Sequence, residues 1–467
     1  MSEDEADQGP RVRLEPPGDR WRALVRLSPQ DNTTRATRRS LGLVTHRRVV
    51  MGGHQPGFWH AGILAKWIAV EALAGCVDGA AAWVVPDQSP GAGTAIAYPA
   101  RDGDKLVRAS VRLGEADVPP AAQPAAGFEA PGDAALSSVA RALREAAGLM
   151  RRHGGEPTLA RQLHGACVDA ISDMLPRPAR SAAPASPAAI FASELHETEA
   201  FKELIGAMRA DPHACARLYN EAARAHAGAG VRELAIAPDG VELPLWERTG
   251  TPARPQPWRT VRSDRLPDLA DERLVLRGLP MTGMLRRWCC DLFVHGTGGG
   301  GEQGYDRVTE GWFEVWLGAR DLAPAAVASA TLRLDFREFT GELDLPTPEQ
   351  IARAQELAHR AEHDPALAGD EELGRRKREL AQEIAALPRG SERRGELFRQ
   401  MQELRGSAGA RSAGELARLR SRAESLAARA GDAAIAADRT WPFIFHAPDA
   451  LAPLREAIDA EIARPRG

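Results

Sequence analysis

Two glycine-bearing loops hold the residue types in this chain best suited to chemistry. The first runs Gly52-Gly53-His54-Gln55-Pro56-Gly57-Phe58-Trp59-His60-Ala61-Gly62. Small residues let the backbone approach a ligand, and free amides at a helix start attract anions. His54 and His60 add groups that move protons or contact phosphate, and Gln55 adds a neutral donor and acceptor. Lys66, one turn past Gly62, can reach back toward the same ligand. The spacing is neither GxGxxG nor a Walker A loop, so no standard dinucleotide or P-loop site follows. The second loop, residues 291–306, sets four glycines, 298–301 (Gly298 and Gly299 first), between His295 and the pair Tyr305-Asp306. A glycine run has no packing value and a large entropic cost, which points to a bound ligand or a mobile lid. Asp87 is a third candidate, suited to a ribose, an amine or a metal, and equally to capping a turn. His54, His60 and His295 match no zinc spacing, so no metal is expected. Each loop also has a plain structural reading: a tight turn for the first, and a flexible connection with Asp306 as an N-cap for the second.

Groups so placed need a sheet to hold them. Residues 47–51 predict a short buried strand, and 61–74 a helix in which Ile63, Leu64, Trp67, Ile68 and Leu73 recur at three- and four-residue steps. The apolar run 81–85 predicts a second strand, ending at Pro86 and Asp87. Strand, glycine turn, helix and strand form a βαβ unit and imply a parallel sheet. The first loop and Asp87 then lie at the carboxyl end of that sheet, where open α/β folds bind ligands. Hairpins are expected around Asp102-Gly103 and Pro238-Asp239-Gly240, strands over 274–276 and 327–336, and a helix over 305–317. The Pro- and Ala-rich tracts 119–135 and 176–188 predict loops.

From 348 to about 430 charge dominates, and Ala and Leu replace β-branched residues. Leu380, Ile384 and Leu387 share a face, as do Leu397, Met401 and Leu404, then Leu416, Leu419, Ala423 and Leu426. This pattern predicts a coiled coil, folded into a hairpin by breaks at Pro388-Arg389-Gly390 and at 406–409; a bundle against the core is the alternative. The division expected is a flexible lead-in over 1–40, a Rossmann-like α/β core with helical insertions over 41–345, a coiled-coil arm over 346–432, and a return to the core over 433–467. The arm's seam must be buried, and a symmetric homodimer through it is the default expectation.

Composition narrows the function. Sixty basic residues against 64 acidic ones leave a net charge of −4, with no call for a nucleic-acid partner. Only four residues are lysines, which makes the position of Lys66 worth attention. Five scattered cysteines with no CxxC pair read as reduced thiols. An acidic, polar start is the opposite of a signal peptide, and no apolar stretch approaches the roughly twenty residues of a membrane span. A cytoplasmic protein acting on a small molecule, without a membrane partner, is expected.

At the two loops the chain resembles the bacillithiol synthase family of cysteine-adding ligases. Members carry a G-x-Q-x-G…G…K segment after the first strand, matched here by Gly53-His54-Gln55-Pro56-Gly57, Gly62 and Lys66. They also carry a short glycine-rich segment followed by an acid and a tyrosine, which residues 298–301, Glu302 and Tyr305 resemble with extra residues inserted. The family's order of Rossmann-like core, connecting segments and C-terminal coiled coil agrees with the organisation above. This loop departs in having His54 where the family has a second glutamine, and in the single acid of Pro86-Asp87-Gln88 where the family has an acidic run. The chain is similar to a divergent relative. The resemblance implies a ligase adding cysteine to an amino-sugar glycoside of malate. In that scheme His54, Gln55 and Lys66 bind the anionic group, Asp87 holds an amine, and the His295–Tyr305 loop closes over the substrate. ATP or another nucleotide is a candidate cofactor that the residues leave open. Two other functions fit: a nucleotidyltransferase-like enzyme with His54 and His60 on a triphosphate, and a non-catalytic assembly protein working through its coil.

Overall fold

The computed structural model describes residues 9–28, 30–91, 93–103, 105–132, 137–175, 186–251, 253–336, 345–411 and 413–464, with the backbone alone over 405–411. They fall into two units, Met1–Tyr98 with Ala109–Leu334 and Arg439–Gly467, and Pro99–Arg108 with Asp335–Asp438.

The first unit is α/β. Six strands, β1 (Arg11–Glu15), β2 (Val49–Gly53), β3 (Ala80–Val85), β4 (Ala188–Phe191), β5 (Leu292–His295) and β6 (Ala325–Thr331), form a sheet ordered β1-β6-β5-β2-β3-β4. Only β1 is antiparallel to its neighbour. The inner strands are buried on both faces, which is why they read as unbroken apolar runs rather than as alternation. From β2 the sheet grows one way through β3 and β4, and from β5 it grows the other way through β6. The growth direction thus reverses between β2 and β5.

Helix α1 (Asn32–Ser40) is capped by Asp31, whose carboxylate accepts from Thr34 N. Helix α2 (Ala61–Cys76) joins β2 to β3, packs on β6 and β2, and lies beneath the helix Pro448–Ala463. Being covered above and below, it is apolar almost all round. Trp59, Trp67 and Trp83 cluster there, ring centroids 5.0 to 5.7 Å apart. The opposite face carries the larger core: Met51, Val84 and Phe293 pack with Phe201, Tyr219, Trp312 and Phe313, the last two from helix α3 (Asp306–Leu317). An antiparallel sheet centred on Gly240–Glu247 adds Leu243 and Leu245 to that core, and its hairpin partner Ile236–Ala237 confirms the turn expected at Pro238-Asp239-Gly240.

Four expectations change. Residues 9–40 are no loose lead-in: β1 pairs along the edge of the sheet, Trp21 is fully buried, and Arg38 reaches a buried ion pair with Asp291. Their charge density hid two short elements, β1 and α1, and the residues α1 buries are Thr34, Thr37 and Arg38 rather than an apolar face. Residues 292–295, read as loop, are the central strand β5, paired with β2 on one side and β6 on the other. Strand β4 lies at the end of the Pro/Ala tract 176–188, whose residues 176–185 lie outside the described residues. The strand expected over 327–336 spans Ala325–Thr331.

In the second unit, α4 (Pro348–His363) packs with α7 (Ala413–Ala428), and α5 (Glu371–Ala386) with α6 (Glu392–Arg411). The chain turns between α5 and α6 at Gly390, with φ of +89°. Leu380, Ile384 and Leu387 meet Leu397, Met401 and Leu404 across this pair, as their spacing predicts. The second expected break is absent, because α6 runs through 406–409 to Arg411. Asp432 accepts from Leu106 N at 2.8 Å, fastening the hairpin tip of this unit. Among the described residues no helix is long and apolar enough to cross a membrane.

Candidate functional site

The register Val294↔Gly52 sets His295 beside Gly53, on strands about 4.8 Å apart, so both loops leave the sheet side by side where its growth reverses. Lys66 sits between them. Its Nζ donates to Gly53 O at 2.6 Å, lies 5.7 Å from the Trp83 ring, and abuts Gly296, where a Cβ would stand 3.9 Å from Nζ. Burial lowers this ammonium to about 7, so it is partly neutral near physiological pH. Burial, and then the Lys66 charge, lower His54 to about 3, which leaves its half-buried imidazole neutral and unable to serve as a cation for phosphate.

Phe293 and His295 alternate onto the α3 side of β5, whereas Lys66 approaches from α2 on the other side. His295 is buried and heads a cluster that sequence reasoning missed. Its Nε2 is 3.2 Å from Asp306 Oδ2, close enough for an ion pair but off-line for a hydrogen bond. Arg286 Nη1 donates to that same Oδ2 at 2.5 Å, Nη2 to Glu310 Oε1 at 2.8 Å, and Nε to Ala323 O at 2.8 Å. Burial alone would raise Asp306; the His295 and Arg286 charges outweigh it and hold the carboxylate below its ordinary value. Arg286 lies in the apolar stretch Met284–Cys289, and only the fold turns it inward. The Tyr305 ring meets His295 edge-on at 5.8 Å, and burial beside Asp306 pushes its hydroxyl up to about 12. Gly299 backs onto both: a Cβ there would stand 2.6 Å from His295 Nδ1 and 2.9 Å from Tyr305 Oη.

Several expected ligand contacts are already used. His60 caps α2, its Nδ1 accepting from Gly62 N at 3.1 Å, and its carbonyl takes Ile63 N and Leu64 N. Those first-turn amides therefore do not await an anion. Trp59 Nε1 donates to Gln55 O at 2.9 Å, and Phe443 N to Trp59 O at 2.6 Å, so the returning C-terminal segment braces the loop. Asp87 is no open amine site: it accepts from Ser193 N at 2.8 Å and Ser193 Oγ at 2.6 Å, tying the ends of β3 and β4 together. Asp306 makes no side-chain cap, and its Oδ2 accepts from Arg286. Gly298 lies on the exposed tip of the second loop.

A cavity of about 160 Å³ flanks the first loop. Gly57, Phe58, Gly93, Ala97, Leu163 and Pro442 line it, and Gly57 (φ +140°) packs against Gly93. It is smaller than the few hundred cubic ångströms that ordinarily hold a nucleotide-sized ligand. Among the described residues, His54, His60 and His295 form no metal-binding group. No protein-family model matches the chain, and no curated protein matches it.

Proposed function

We propose that this chain is a carbon–nitrogen bond-forming ligase on a Rossmann-like core, a divergent relative of the bacillithiol synthase family that joins cysteine to an amino-sugar malate. The carrying observation is the meeting of both motif loops on Lys66 where the sheet's growth reverses, in the order β4-β3-β2-β5-β6. That order places a ligand crevice between β2 and β5 in doubly wound folds. Lys66 supplies charge to a carboxylate drawn to the edge, and the neutral His54 offers a hydrogen-bond acceptor there. In its neutral form His295, held by Asp306, takes the proton released when the amine attacks the acyl carbon and the activating phosphate group leaves. A nucleotide would activate the carboxylate, and the second loop must open to admit it. A reducing, cytoplasmic setting accords with Cys76, Cys167, Cys215, Cys289 and Cys290 all being free thiols. The homodimer through the coil loses its original argument, because the seam of Leu380, Ile384 and Leu397 is filled within the chain.

The test is incubation with cysteine and glucosaminyl malate, with and without ATP, read by mass spectrometry. A product weighing the two substrates less one water, lost in His295→Ala, supports the ligase. Nucleotide binding with no response to cysteine or the amino sugar would sink it in favour of a nucleotidyltransferase.

A further inference from the structure

Helix α4 ends in His359-Arg360-Ala361-Glu362-His363. Residues three and four apart lie over one another on a helix, so the two imidazoles and the carboxylate share one exposed face. The imidazole rings stand edge to face, 5.1 Å between centroids. One donor atom from each of the three residues lies within 4.8 Å of the others. Ligands on a common tetrahedral ion at about 2.0–2.1 Å would stand roughly 3.3 Å apart. Exposed side chains close that gap by small χ rotations, with no movement of the backbone.

The carboxylate is already oriented. Arg420 of α7 donates to Glu362 Oε1 through Nε at 3.1 Å and Nη2 at 2.8 Å. The other oxygen, Oε2, is turned toward His359, 3.9 Å from Nδ1. A metal-bound carboxylate is commonly held from behind in this way, one oxygen on the ion and one on a fixed donor.

We propose that His359, Glu362 and His363 bind one divalent transition-metal ion, zinc or a neighbour such as cobalt or nickel, with Arg420 positioning Glu362. Two imidazoles and one carboxylate select these borderline ions over magnesium or calcium, which take oxygen ligands. Three protein donors leave the remaining position to water. Histidine, glutamate and histidine in this order also mark zinc helices whose glutamate is a general base; here Arg420 occupies that carboxylate, and the site binds rather than hydrolyses. An ion on Glu362 ties α4 to α7 through Arg420 and so braces the paired helices.

Tag-free, full-length protein stripped with a chelator is titrated with Co²⁺ and followed by its visible absorption, then by Zn²⁺ displacement. One ion per chain is expected. His359→Ala and His363→Ala should each weaken binding at least tenfold, and Glu362→Gln several-fold, with melting temperatures of the ion-free proteins unchanged. A His359→Ala/His363→Ala protein that binds as wild type overturns the site. Glu362→Gln binding as wild type overturns the three-ligand assignment.

Discussion

Lys66 and Asp87 carry their sequence-level promise in unequal measure. Lys66 is buried to its ammonium, so Lys66→Ala removes a packed four-carbon stem from α2 as well as a charge. A loss of about 2–4 kcal/mol is expected, against a smaller change for Lys66→Met, which fills the same space. Burial lowers Lys66 from 10.5 to about 7, so between those values the unfolded chain binds more protons and stability rises with pH. Urea unfolding at pH 6.5 and 9 should show that rise in wild type and a flatter response in Lys66→Met; equal slopes would place the ammonium in water. Asp87 behaves in the opposite sense. Burial, and more weakly Glu194, raise it to about 6, so the folded state binds the extra proton between its ordinary value of 3.8 and 6, and stability falls as pH climbs through that window. Asp87→Asn can keep both contacts to Ser193 and should remove that fall, measured as melting temperature at pH 4.5 and 7.

The second loop works as an element because its glycines are not equivalent. Gly299 lies against His295 and Tyr305 with no room for a methyl, whereas nothing lies within 4 Å of a Cβ on Gly298. Gly299→Ala should cost about 1–3 kcal/mol by overpacking and displace His295, while Gly298→Ala should stay within about 0.5 kcal/mol of wild type. Chemical denaturation of the pair separates a packed turn from a free lid: equal stabilities would mean the loop is not seated on His295. The run of four glycines was legible in the sequence; which of them faces a side chain was not, since that depends on a histidine three residues earlier being on a strand. The strand itself left a signal, the apolar Leu292-Phe293-Val294 between Asp291 and Gly296, but four residues are too few for periodicity to speak.

At the scale of the first unit, Asp291 binds the N-terminal segment to the sheet. Its Oδ1 accepts from Ser28 N at 2.5 Å and from Arg38 Nη2 at 3.0 Å, and its Oδ2 accepts from Val49 N at 2.7 Å. Both members of the Arg38–Asp291 pair are fully buried. Asp291→Ala leaves a buried guanidinium and two backbone amides unmatched and should cost about 3–5 kcal/mol. Deleting residues 1–40 exposes the same carboxylate's site and strips β1 from β6, so the truncated chain should melt well below the full one. A truncated chain as stable as wild type would return those residues to the role of a loose lead-in.

Local patterns determined much of this. The apolar runs of β2 and β3, the helix between them and the leucine spacing of the paired helices 348–428 all follow from periodicity and punctuation that a few adjacent residues carry. The same local character made the two glycine loops and Lys66 stand out as one of four lysines. Tertiary structure decided what those residues face. His60 became a cap, Asp87 a tie to Ser193 106 positions away, and Asp306 a partner of Arg286, because a carboxylate or imidazole taken out of water binds whichever donor the fold brings within reach. Burial, strand order and partners hundreds of residues apart are properties of the packed chain, and no short window of sequence contains them.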